Sequence, residues 1–115
     1  MLKQSFPKII TDLPEADIEI KGAKGWIAQG KDHQTVFIDI EPSVEESEHS
    51  HDFPCWLIMV EGKMEVTISG KSKIYEKGDD IFFPPHVRHS AKVITKSRCI
   101  VFLSGKGLFK PKSIS

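Results

Sequence analysis

Apolar and polar residues alternate along two stretches of the chain. Residues 36–41 have the sequence VFIDIE, and residues 64–69 have the sequence MEVTIS. Side chains of successive residues in a strand point to opposite faces, so a period of two predicts strands with one buried face. We therefore expect Val36, Ile38 and Ile40 to face a core from one strand, and Met64 and Val66 from another.

Three further stretches are apolar on both faces. Residues 56–60 (WLIMV), 80–83 (DIFF) and 99–103 (CIVFL) suit central strands of a sandwich or closed barrel. Turn-forming residues separate the stretches, as at Gly62, Gly70 and Gly78. No window of about a dozen residues keeps helical spacing of apolar positions. The pattern predicts an all-β, antiparallel barrel or jelly roll with very little helix.

The length of 115 residues fits one domain. Residues 1–24 are interrupted by Pro7, Pro14 and Gly22, and residues 104–115 have the sequence SGKGLFKPKSIS. We expect a single domain over residues 1–115 with its core at about residues 25–105, and both irregular ends outside that core.

Charge and hydropathy exclude several classes of partner. The 16 lysines and arginines balance the 16 aspartates and glutamates, so no net positive field would gather nucleic acid. No stretch has the continuous apolar character of a secretion signal or of a membrane span of about 18 residues. The expectation is a cytoplasmic protein with neither a nucleic-acid nor a membrane partner.

Four of the five histidines fall in two tight groups, His49-Ser50-His51 and His86-Val87-Arg88-His89. Residues two apart on a strand share a face, so His49 and His51 can direct both imidazoles at one point. His89, from another strand, would complete a three-histidine metal site with positions open to water or substrate. The alternative is that His49 and His51 flank an exposed acidic loop and are simply solvated.

The spacing around these histidines resembles the two sequence motifs of the cupin superfamily. The first motif is matched by His49, His51 and Gly62, and the second by Gly78, Pro84 and His89. Family positions that differ here are the first Gly (Ser43), the Glu (Cys55), the Gly after Pro84-Pro85 (His86) and the Asn (Val93). The resemblance implies a double-stranded β-helix, or jelly-roll barrel, with a divalent metal inside.

Cys55 is the most informative departure, because a thiol stands where the family has a carboxylate. As a thiolate it would favour zinc or iron over magnesium or calcium. We predict a metal site of His49, His51, Cys55 and His89 holding a divalent transition metal, iron or zinc by preference and manganese or nickel as alternatives. The competing interpretation makes Cys55 a small buried residue beside Trp56. Cys99, in an apolar run, is assigned to the core.

Other residues receive weaker assignments. His86 is placed at the rim of the site, and His33 in a solvated loop. The aromatic residues Phe53, Trp56 and Phe83 are candidates for the cavity mouth, although aromatic side chains in small barrels usually belong to the core.

Two classes of function follow from the resemblance. One is an enzyme with dioxygenase-, isomerase- or lyase-like chemistry on a small polar metabolite; the other is a non-catalytic module that binds or senses a metal or small ligand. The pattern places no general base in the interior, because Glu61 and Glu65 fall at a turn and on the outer face. Apolar outer positions such as Phe37, together with the pairing common among single-domain cupins, predict a homodimer.

Overall fold

The computed structural model describes residues 6–105 and 108–112. In chain order they form α1 (Lys8–Thr11), β1 (Ala23–Gln29), β2 (His33–Ile40), β3 (Glu45–His49), β4 (Cys55–Glu61), β5 (Lys63–Ile68), β6 (Lys71–Glu76), β7 (Asp80–Phe83), β8 (His89–Val93) and β9 (Ser97–Ser104). No helix in these residues is long and apolar enough to cross a membrane.

The strands form two antiparallel sheets. The larger sheet has the order β1-β2-β9-β4-β7, and the smaller has the order β3-β8-β5-β6. Buried residues from both sheets make one hydrophobic cluster, to which Val36, Cys99 and Val101 contribute from the larger sheet and Met64 and Val66 from the smaller. The predicted all-β jelly roll is confirmed.

Alternation along each strand decides which side chains enter the core. On β4, Cys55 and Met59 are buried, whereas Trp56 and Ile58 between them face outward. On β7 the buried residues are Ile81 and Phe83. The stretches that are apolar on both faces therefore have one face in the core and one apolar outer face. Two of them, β4 and β9, are central strands as predicted, whereas β7 lies at the edge of the larger sheet.

The chain ends contribute more to the barrel than the sequence suggests. Ala16 belongs to the core cluster, and Phe109 packs against it. Phe6 packs edge-on against Phe37, with 5.6 Å between ring centroids, and so covers a side chain predicted to be exposed. The sequence did not predict these contacts, because single apolar residues in an irregular segment show no periodic pattern.

Residues 108–112, the C-terminal strap, are held by Gln34, whose side chain is almost fully buried at 1% exposure. The Gln34 amide nitrogen donates to the Phe109 carbonyl oxygen at 3.0 Å, and the Phe109 amide donates to Gln34 Oε1 at 2.9 Å. The Lys112 ammonium lies 2.7 Å from a Glu15 carboxylate oxygen. A buried amide needs such partners, so Gln34 and the strap stabilise each other.

An outer apolar patch lies on the larger sheet, formed by Trp56, Ile58, Phe82 and Phe102, each between 38% and 44% exposed. The rings of Trp56 and Phe82 are 4.5 Å apart. Contiguous exposed apolar side chains on one sheet face are typical of interaction surfaces. Since Phe37 is covered by Phe6, this patch is the better candidate for the interface of the predicted homodimer.

We predict that light scattering of the native protein at micromolar concentration gives twice the chain mass of 13.0 kDa. Phe102→Asp should shift it to the monomer mass, because a buried unpaired carboxylate in the interface is costly. Ile74→Asp serves as a control, since Ile74 is also exposed but lies on β6 of the other sheet. A native protein of monomer mass would contradict the prediction.

Candidate metal centre

Three histidines from two separate parts of the chain meet at one end of the barrel. His49 is the last residue of β3, His51 follows two residues later, and His89 is the first residue of β8, directly opposite His49 in the sheet. Their ring centroids lie 4.4 to 5.0 Å apart. One ring nitrogen from each lies within 4.8 Å of the others, which is close enough for all three to ligate one metal ion.

Backbone carbonyls fix which ring nitrogen of two of these histidines carries the proton. Nδ1 of His49 lies 2.7 Å from the Ser47 carbonyl oxygen, and Nδ1 of His89 lies 3.1 Å from the Val87 carbonyl oxygen. A carbonyl oxygen only accepts, so each Nδ1 donates and each Nε2 keeps its lone pair. This is the arrangement by which metal-binding histidines are oriented in proteins.

Burial favours the uncharged form of two of the imidazoles, His51 and His89. It lowers the pKa of His51, and the nearby His49 and His89 lower it further. Burial also lowers the pKa of His89, against the opposing effect of its hydrogen bond to Val87. Both rings are therefore neutral at neutral pH, the form that binds a metal.

Glu46 also faces this site, and the sequence pattern missed it. It lines the cavity beside the histidines, and its Oε1 lies 3.5 Å from His49 Nε2. Residues three apart on a regular strand face opposite ways, but the pairing of β3 with β8 shifts between Glu46 and His49. This bulge adds one residue to β3, so Glu46 and His49 both face inward. Because a bulge interrupts the two-residue alternation, the sequence pattern could not indicate that Glu46 and His49 share a face.

Cys55 lies in the same cavity wall, on β4, but is not among the three clustered ligands. Burial, and to a smaller extent the nearby Glu46 carboxylate, raise the pKa of its thiol to about 12. Without a metal the thiol stays protonated at neutral pH, which favours the packing interpretation. Its role as a ligand stays a prediction. Cys99 is 1% exposed within the core cluster, as predicted.

A cavity of about 390 Å³ extends from His51 and His89 into the barrel. Phe53 and Phe83 line it, as predicted, and their rings pack against His51 and His89 at 4.9 Å and 4.4 Å between centroids. Trp56 does not line it, because its position on β4 points outward. The sequence contained a signal for this, because Trp56 directly follows Cys55 and successive residues of a strand face opposite ways.

Two residues that replace glycines of the family motif adopt the left-handed backbone conformation that glycine favours. Ser43 and His86 both have positive φ, at 70° and 65°. This left-handed conformation is disfavoured for side chains with a β-carbon. The exposed His86 also donates its backbone N–H to the His51 carbonyl oxygen at 2.6 Å, so it supports His51 from the rim.

The donor set fits a divalent transition metal. Three imidazole ligands suit zinc, iron, nickel or copper better than magnesium or calcium, which prefer oxygen ligands. His33 lies outside the cluster, exposed at the start of β2. Of the residues that the structure describes, His49, His51 and His89 form the only group of three or more potential ligands close enough to share an ion.

Solved structures share this fold. The chain is similar to an RmlC-like cupin from Shewanella frigidimarina, with 27% identity over 90% of this chain and 91% of that chain and a TM-score of 0.75. KdgF from a Halomonas species is 22% identical over 79% of this chain and 86% of that chain, with a TM-score of 0.72. Salicylate 1,2-dioxygenase from Pseudaminobacter salicylatoxidans is 18% identical over 72% of this chain and 26% of that chain, with a TM-score of 0.68.

No curated protein matches the sequence significantly. The family model described as "Cupin domain" matches residues 36–105, which is more than half of the chain and includes all three clustered histidines. The sequence motifs, the two-sheet barrel and the family match agree, and the chain belongs to the cupin-domain family.

Proposed function

We propose that the protein binds one divalent transition metal ion through Nε2 of His49 and His89 and a ring nitrogen of His51. The observation that carries this proposal is the approach of the three ring nitrogens to within 4.8 Å of one another. Three neutral imidazoles leave coordination positions free, and the cavity gives a small molecule access to them. The bound ion would supply Lewis-acid or redox chemistry to that molecule.

Glu46 is proposed as the carboxylate of this site, in place of the family glutamate. With Nδ1 of His49 donating to Ser47, the His49 Nε2 lone pair faces Glu46 Oε1 at 3.5 Å. Two electron-rich atoms at this distance repel each other unless a proton or a metal ion lies between them. A divalent ion satisfies both atoms, which makes Glu46 a stronger candidate for the fourth protein ligand than the protonated thiol of Cys55.

An enzyme and a binding module remain the two candidate roles. The side chains of the cavity wall determine which kinds of catalysis are available to an enzyme. Among the described residues no lysine or tyrosine lines the cavity, and Glu46 is its only carboxylate. If Glu46 ligates the metal, general acid–base catalysis has no dedicated side chain. This favours chemistry carried by the metal itself, or binding without turnover.

Elemental analysis of protein purified without added metal tests the proposal. We expect about one transition-metal ion per chain, removable by a chelator and restored by titration with iron or zinc. Dioxygen uptake by the iron-loaded protein, across a panel of thiols and small diketones, then separates the two roles. Metal content at background level, with no uptake of iron or zinc after chelation, would contradict the proposed site.

A further inference from the structure

The wall of the cavity is almost entirely apolar. Apart from His51, His89, Glu46 and the thiols of Cys55 and Cys99, every lining side chain is aliphatic, aromatic or methionine. The polar members Glu46, His51 and His89 gather at the histidine end. The remainder of the cavity therefore offers a ligand apolar contact and very few hydrogen bonds.

The shape of the cavity separates a polar end from an apolar interior. Leu103 and Cys99 both line it and lie four residues apart on β9, which corresponds to about 13 Å along the strand. Leu103 pairs with Cys55, which in turn pairs with Phe83, beside His89. Cys99 lies toward the opposite end of the barrel. A ligand held at the histidines therefore extends its body toward Cys99.

No lysine or arginine among the described residues lines the cavity. A second anionic group, away from the metal, would lose its hydration without gaining a counter-ion. Hydroxyl groups along the body would lose hydrogen bonds to water without replacement. The wall thus disfavours sugars, sugar acids and dicarboxylates as ligands. The ligand that it favours is less polar than the small polar metabolite expected from the sequence.

The C-terminal strap adds to the apolar enclosure. Leu108 and Phe109 both line the cavity, and the side chain of Gln34 holds the Phe109 backbone by two hydrogen bonds. Two apolar side chains from a segment outside the strands thus form part of the cavity wall and help to exclude water from it. Enclosure of this kind strengthens the preference for a hydrophobic ligand body.

We infer that the ligand of this cavity is a small molecule with one metal-binding polar end and an apolar body about the size of an aromatic ring. This inference rests on the proposed metal site for the polar end only. A dry cavity of about 150 Å³ lined by aliphatic and aromatic side chains is sufficient to bind benzene. The volume of about 390 Å³ here has room for such a ring with its polar end.

Two hydroxamic acids with the same chelating end test the apolar body. Benzohydroxamate carries a phenyl group, and acetohydroxamate a methyl group. By calorimetry on the zinc-loaded protein, we expect benzohydroxamate to bind about 10- to 100-fold more tightly, because its ring leaves water for the cavity. Glucuronate, an anionic polyhydroxy compound, should bind more weakly than either. Equal affinities for the two hydroxamates would overturn the inference.

Adjacent residues on β4 provide a matched pair of variants. Leu57 lines the cavity, whereas Ile58 faces outward. Leu57→Trp should fill the space and weaken benzohydroxamate binding by at least about 10-fold, whereas Ile58→Trp should leave it unchanged. An equal effect of the two substitutions would overturn the assignment. Should Leu57→Trp fail to fold, the comparison of the two hydroxamates still decides the question.

A metal-independent probe separates failure of this inference from failure of the metal site. Indole has no chelating end, so its binding to the chelator-treated protein, followed by NMR, depends on the apolar cavity alone. If zinc does not bind but indole does, and Leu57→Trp removes indole binding, the metal proposal fails and the apolar cavity is supported. Absence of indole binding to the metal-free protein would overturn the inference.

Discussion

Replacing His51 with alanine is expected to weaken metal binding by at least about 100-fold, since loss of residues that merely support a ligand already costs about 10- to 100-fold. The three ring nitrogens within 4.8 Å of one another form the proposed chelate, and removing one leaves it incomplete. Competition with a chromogenic zinc chelator at neutral pH measures the change. His33→Ala is the matched control, because His33 is exposed and lies outside the cluster.

The barrel should survive this substitution. His51 follows the end of β3, and its ring stacks on Phe53 at 4.9 Å. Loss of such a ring contact costs about 0.5–1.5 kcal/mol of folding free energy, which is small compared with the stability of most domains. Circular dichroism should therefore show an unchanged β spectrum. Full metal occupancy of His51→Ala at neutral pH would exclude the site and restore the interpretation of solvated histidines.

Glu46→Gln and Cys55→Ser are expected to differ in what they change. Glu46→Gln removes the charge facing His49 Nε2 and should weaken zinc or iron binding by about 10- to 100-fold. Cys55→Ser should leave the metal affinity nearly unchanged and instead lower the free energy of unfolding by about 1–3 kcal/mol, because it buries a hydroxyl in an apolar wall. Metal titration and urea denaturation measure the two effects.

Glu45→Gln provides the control for charge alone. Glu45 precedes Glu46 on β3, is exposed and pairs with Lys92 at 3.9 Å, away from the cavity. Its replacement should not alter metal affinity. A loss of affinity in Cys55→Ser that exceeds the loss in Glu46→Gln would reverse the assignment and identify sulfur as the fourth ligand.

The sequence predicted the strands and the histidine cluster because both depend on local regularity. The alternation of Val36 and Ile38, and of Met64 and Val66, places these residues in the core. The motif spacing brought His49, His51 and His89 to one point. These features repeat every two residues or follow a known spacing, so they are visible without knowledge of tertiary contacts.

Features that depend on an irregularity were not predictable in the same way. Glu46 and His49 lie three residues apart and share a face only because of the bulge between them, and no residue type marks that bulge. The strap contacts the barrel through Phe109 and the distant Gln34, separated by 75 positions. Likewise, the preference of the cavity for an apolar ligand emerges only when side chains from both sheets and the strap are placed together.

The attachment of the C-terminal strap has a consequence for kinetics. Short segments fixed by a few hydrogen bonds open at much lower free energy than strands in a sheet. Residues 108–112 are fixed by Gln34 and by contacts with residues 15–17, whereas β2 and β9 pair along their whole length. Detachment of residues 108–112 would break the Ala16–Pro111 bridge but no pair among β1 to β9. We therefore expect solvent to reach this side of the cavity more readily than it penetrates between paired strands. Exchange through this side of the cavity would then depend on the attachment of the strap more than on the global stability of the barrel.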